Sequence, residues 1–167
     1  MMQRYLALFS PHTIRTTLHL LRRYEILKLR TTNGYRPFRP AAFILGIMLS
    51  PREVCCFLRK LLSAEHYLST RIGDNGTLGW TYQKNILLGK WRAKHLPSNT
   101  INPAADKMPS THWGPTEHMV FWVWVIVALS KRGATLYHFK EDLPGSTGCA
   151  KELAMAEDLR MSIVSLP

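Results

Sequence analysis

Met119-Val-Phe-Trp-Val-Trp-Val-Ile-Val-Ala-Leu129 decides how this chain is read: eleven residues with no charge and no hydrogen-bonding side chain except two indoles. Written as a strand, it is apolar on both faces, with Phe121, Val123, Val125 and Val127 on one and Trp122, Trp124, Ile126 and Ala128 on the other. In any conformation such a segment is buried on all sides, in a protein interior, between subunits or in lipid. As a helix it covers roughly 16 Å at about 1.5 Å per residue, about half the hydrocarbon thickness of a bilayer. Extended from Trp113 to Tyr137 it becomes long enough to span, but then includes Glu117, His118, Lys131 and Arg132 near headgroups or partner acids. As a strand it is β-branched and aromatic throughout, and Ser130-Lys-Arg-Gly133 would close a hairpin onto Ala134 to Phe139. The third option is the core helix of a soluble protein. In the membrane reading, Met119, Phe121, Trp122, Trp124 and Ile126 are the membrane- or partner-facing residues.

Outside this run the chain is strongly basic. It has 167 residues, 22 Lys+Arg against 11 Asp+Glu, and a net charge of +11. With 46% hydrophobic residues it is unlike a disordered chain, and such self-repulsion points to a polyanionic neighbour, nucleic acid or an anionic membrane. All the excess lies before the run: residues 1–117 carry 17 Lys+Arg against 6 Asp+Glu, and 131–167 carry 5 of each. Were the run a span, the positive-inside rule would put the amino-terminal part in the matrix or cytoplasm, with Lys131-Arg132 pulling the other way.

Residues 1–34 have the Arg-rich, acid-poor composition of a mitochondrial presequence. Ser10-Pro11 reads as an N-cap followed by Pro at the first helical position. Ile14, Leu18 and Leu21, with Leu20, Tyr24 and Leu27, then form an apolar stripe opposite Arg15, Arg22 and Arg23, and Asn33-Gly34 ends the helix. Tyr35-Arg-Pro-Phe-Arg-Pro40 follows as an extended arm, and Arg15, Arg22, Arg23, Arg36 and Arg39 are the candidate contacts to an anionic partner.

Within the helical basic region 35–96, Ala41 to Leu49 is a second apolar segment, too short to span and expected to be buried against protein. Ser50-Pro-Arg-Glu53 is a capping box, so 51–69 reads as an amphipathic helix with Val54, Phe57, Leu58, Leu61, Leu62 and Leu68 inward. Gly73-Asp-Asn-Gly76 is a turn; Asn75-Gly76-Thr77 fits a glycosylation sequon but is first a turn former. Trp80-Thr-Tyr82 has strand character, and Ile86 to Lys94 suits a short basic helix with Trp91 as an anchoring indole. Residues 97–117 form an extended linker, 118–139 the hydrophobic span, and 140–167 a loop (Leu143 to Gly148) and a short helix (Ala150 to Arg160).

Met119-Val-Phe-Trp122 and, further on, Leu136-Tyr-His138-Phe139 resemble the membrane span of the AGGG-type accessory subunit of respiratory complex I. That resemblance covers residues 119–139 and implies a non-catalytic scaffold in the mitochondrial inner membrane; the acidic patch after the family's span is missing here.

No chemistry-bearing constellation competes. The seven histidines lack metal-ligand spacing, Cys55-Cys56 are adjacent, Cys149 stands alone, and there is no phosphate-binding glycine loop or carboxylate pair. No cofactor, metal or catalytic residue is expected. The fold expected is mainly α, with amphipathic helices, one short single-span hydrophobic helix and extended linkers; the alternative is α+β with 119–139 as a buried hairpin. The function expected is that of a non-catalytic accessory subunit of a mitochondrial inner-membrane complex, with other subunits and anionic lipid such as cardiolipin as partners. The alternative is a mitochondrial ribosomal protein that binds rRNA through its basic amino-terminal region.

Overall fold

A computed structural model describes residues 6–31, 34–72, 82–106 and 112–167. The chain is mainly helical and divides into two compact units, 1–62 with 107–128 and 63–106 with 129–167.

The first unit begins with α1 (Pro11–Arg23), where Ser10 Oγ accepts from Thr13 N at 3.2 Å and Pro11 opens the helix as the sequence predicts. The inward stripe is shifted by one residue. Thr13, Thr17, Leu20 and Leu21 are buried, whereas Ile14 and Leu18 are exposed. The threonines bury because their hydroxyls are satisfied locally, Thr13 on Ala7 O at 3.0 Å and Thr17 on Thr13 O at 2.8 Å. The helix also stops ten residues early. Glu25 takes the left-handed conformation (φ 52°) and Ile26 N donates to Leu21 O, a helix end made without glycine. The expected helix end at Gly34 is instead the start of a strand, β2 (Gly34–Pro37), antiparallel to β1 (Lys28–Thr31).

α2 (Pro40–Leu49) and α3 (Pro51–Ser63) follow, meeting at a 91° bend. The expected helix over 51–69 ends at Ser63. Leu68 belongs to a strand and is fully buried there.

α5 (Pro115–Ser130) carries the apolar run, nearly all of it in this unit. The hairpin alternative therefore fails, and the run is a helix starting four residues before Met119. Its start was written in Gly114-Pro-Thr-Glu117: Pro115 opens the helix, and Glu117 Oε2 accepts the Gly114 N–H at 2.7 Å. It stops where Gly133 adopts φ +70°, so Ser130-Lys-Arg-Gly133 is a helix end and not a hairpin turn. The expected span 118–139 is thus most of α5, its end at Ser130 to Gly133, and a strand over Thr135–Phe139. Among the described residues no single helix is long and apolar enough to cross a membrane.

The second unit is built on a sheet that the sequence reading missed. Its strands are β3 (His66–Ser69), β4 (Thr100–Ile101), β5 (Thr135–Phe139) and β6 (Ser162–Leu166), all parallel in the order β4-β3-β5-β6. α4 (Tyr82–Ala93) lies between β3 and β4 in sequence, and α6 (Thr147–Asp158), after a 3₁₀ segment Lys140–Gly145, lies between β5 and β6. The expected linker 97–117 thus contains β4 and the first turn of α5. The expected carboxyl-terminal helix is present, followed by an edge strand. The Gly73–Gly76 turn and the Asn75 sequon lie outside the described residues, as do Asn33, Trp80 and Thr81; Tyr82, expected in a strand with Trp80, opens α4 instead.

Val125 is fully buried in α5. Val125→Arg should abolish folding or cost at least about 3 kcal/mol, since an unpaired charge would enter the interior. Urea unfolding of the purified variant measures the loss.

Candidate functional site

In the first unit, the residues assigned to a lipid- or partner-facing surface are interior. Met119, Phe121, Trp122 and Ile126 are buried, and Trp124 is half-buried. Within this unit Phe57 of α3 meets Phe121 and Trp122 edge-on at 5.2 and 5.8 Å. Phe9 stacks on Trp124 at 5.4 Å, and the Trp124 indole donates to Leu8 O at 3.0 Å. The chain's own aromatics meet the burial requirement that the sequence assigned to lipid. Glu117, expected near headgroups, is also buried: Arg39 N donates to its Oε1 at 2.9 Å, and Arg39 Nη2 pairs with its Oε2 at 3.1 Å. Burial pushes the Glu117 pKa up, but hydrogen bonds from Arg39 and Gly114 and the guanidinium charge outweigh it and hold it below the usual carboxylate value.

The apolar surface left open is α2, the segment expected to be buried. It is apolar all round, yet Gly46 is its only buried residue, and Ile44, Leu45, Met48 and Leu49 are 44–69% exposed. One face is anchored by Trp113, which stacks on Phe43 at 4.8 Å and donates to Phe43 O at 3.1 Å. Gly46 makes this possible, because a Cβ there would fall 2.3 Å from Trp113 Nε1. No charged side chain lies within α2; Arg36 and Arg39 precede it and Arg52 follows it, all exposed. Arg15, Arg22 and Arg23 are exposed on α1, together with Ile14 and Leu18. Five predicted cations thus belong to one unit, which holds 12 Lys+Arg against 3 Asp+Glu; the second unit holds 10 against 8. Arg39 differs from the rest in being tied to Glu117.

In the second unit, polar groups gather after the carboxyl ends of β3 and β5, on either side of the point where the strand order reverses. Ligands of parallel sheets bind at such places. Here the place is filled. Arg92 reaches from α4 to Asp142 Oδ2 at 2.6 Å, to Thr70 Oγ1 at 3.2 Å and to Glu141, with its guanidinium 3.8 Å over the Phe139 ring. Arg71 N donates to Asp142 Oδ2 at 3.2 Å. Beside this cluster, Glu152 of α6 accepts from Tyr67 Oη at 2.9 Å and Ser69 Oγ at 2.6 Å, and burial raises its pKa to about 7. Burial first, then the Glu152 charge, pushes the Cys149 thiol up to about 12. Tyr67 and Ser69 of β3, bonded to Glu152, tie α6 to the sheet. Sequence reasoning missed these contacts because they join residues 22 to 85 positions apart. No metal-ligating cluster of His, Cys, Asp or Glu occurs among the described residues. Comparison with known proteins finds no family model, curated sequence or solved structure that matches this chain.

Gly46→Ala should destabilise the first unit by roughly 1–3 kcal/mol through overpacking against Trp113, read as a lower urea midpoint. Glu152 gives a pH test in the second unit. Its folded pKa of about 7 lies above the ordinary carboxyl value of 4.5, so its contribution is fully present below about 4.5 and is lost as pH rises through about 7. Stability measured across that window should fall with pH, and Glu152→Gln should flatten the fall.

Proposed function

We propose that this chain is a non-catalytic accessory protein of a mitochondrial inner-membrane complex, held at the anionic membrane surface by its first unit rather than by a transmembrane span. The observation that carries this reading is α2, a wholly apolar helix with four large side chains open to solvent in a unit of large positive excess. Ile44, Leu45, Met48 and Leu49 offer apolar area to the headgroup and acyl boundary, and Arg36 and Arg52 flank the helix, which has no charged face of its own. Each nearby cation contributes about 1 kcal/mol of attraction to an anionic leaflet. The presequence-like composition of residues 1–34 supports the compartment; residues 119–139, folded as α5 and β5, are not the membrane span on which the likeness to the complex I accessory family rested.

The alternative reading, an rRNA-binding protein, is favoured by a different helix. On α4, Trp91 is 58% exposed beside Lys90 and Lys94, with the His95 ring 4.9 Å away, and an exposed indole among cations can stack on bases.

Flotation of the full chain with cardiolipin-containing vesicles separates the two. Full burial of Ile44 or Met48 is worth about 1.5–3 kcal/mol, so Ile44→Ser with Met48→Ser should cut vesicle partitioning at least roughly tenfold. Structured RNA in excess should leave wild type on the vesicles. Complete transfer to RNA at physiological salt would reverse the assignment in favour of the ribosomal reading.

A further inference from the structure

The outer face of α3 carries Arg52, Cys55, Cys56 and Arg59, spaced i, i+3, i+4 and i+7 as on one side of a helix. All four are exposed, while Phe57 and Leu61 are buried on the other side. Cysteine is among the most buried residue types, so two neighbouring open thiols call for a role. Cys149, the remaining cysteine, is buried. The outer face begins immediately after the 91° bend at which α2 leaves Met48 and Leu49 exposed.

We propose that Cys55 and Cys56 are S-acylation sites, accepting a long-chain acyl group from a coenzyme A thioester, with Arg52 and Arg59 binding the donor's phosphates. The proposal rests on the membrane-surface reading, since an acyl chain at this place needs a bilayer to enter. The sulfur of either cysteine, as thiolate, attacks the donor's carbonyl carbon. The bond from that carbon to the coenzyme sulfur breaks, and the departing thiolate takes up the equivalent of the proton that the cysteine lost. One thioester replaces another, so no oxidant or reductant is required.

Other chemistries fit this face less well. Consecutive helical side chains point about 100° apart, and among the described residues no third His, Cys, Asp or Glu groups with the pair to complete a metal site. Their Cα atoms are about 3.8 Å apart, below the ordinary disulfide range of about 4.4–6.8 Å. A single acyl chain binds membranes only marginally and needs a second signal. The exposed face of α2 and the flanking arginines supply it.

The test incubates the full-length protein with palmitoyl-CoA and cardiolipin-containing vesicles, followed by intact mass, hydroxylamine cleavage and peptide mapping. Hydroxylamine-labile palmitate on Cys55 or Cys56 but not on Cys149 is expected. Cys55→Ser with Cys56→Ser should abolish it, and Arg52→Gln with Arg59→Gln should slow it several-fold; thermal melts confirm that the variants are folded. Acylated wild type should be retained on vesicles about tenfold or more over the serine variant. Absence of label from both thiols, or labelling indifferent to the arginine substitutions, would overturn the proposal. Vesicle binding of the unacylated chain, read in the same assay, keeps the two ideas apart: intact binding without acylation overturns only the acylation site, and absent binding overturns both.

Discussion

The run on α5 is apolar on every side, and the first unit is arranged to enclose it. Residues of α5 between Met119 and Leu129 have no polar face to offer water, so neighbouring elements must supply aromatic cover. Phe57 comes from α3, Phe9 from the segment before α1, and Trp113 from the turn before α5, its ring 5.4 Å from Phe121. The indole of Trp124, a donor that burial would otherwise leave unsatisfied, finds Leu8 O. Glu117 then joins the two ends of the unit. Its carboxylate caps the first turn of α5 and holds Arg39, the residue from which α2 departs. The apolar run therefore constrains where the arm before α2 can go, and with it which apolar surface stays open.

Much of the local structure was legible because its signals are short-range. Ser10-Pro11 marked the start of α1, Ser50-Pro51 the start of α3, and the alanine- and leucine-containing stretch near 150–159 a helix. What was illegible has a physical reason in each case. Glu25 and Arg160 both end helices at positive φ, where glycine is the usual sign, so no residue type advertised the stop. Thr13 and Thr17 are buried as if apolar because their hydroxyls bond within the chain, which displaced the inward face of α1 from the leucine pattern. The parallel sheet is made of strands of two to five residues joined through helices, and such pairings leave no periodicity to find.

The five candidate cations are exposed, whereas the apolar residues expected to face lipid or partners are mostly interior. Hydrophobicity along a chain tells how strongly a segment avoids water, and says nothing of which segment the fold will choose to cover. Here the longer run became core and the shorter one, Ala41 to Leu49, stayed open. Two features of the chain account for that choice. Gly46 lets α2 lie close against Trp113 on one side only, and the 91° bend before Pro51 carries α3 away from the rest of α2.

The presequence-like character of residues 1–34 meets a competing demand in the same fold. A targeting helix acts as an isolated amphipath with both faces available, whereas α1 uses Thr13, Thr17, Leu20 and Leu21 for packing. The carbonyls of Ala7 and Leu8 accept from Thr13 and Trp124, so this stretch completes hydrogen bonds that the interior requires. Removing it would leave the Trp124 indole without its acceptor. In the folded protein Leu8 and Phe9 cover Trp124 of α5, and Arg15, Arg22 and Arg23 are exposed.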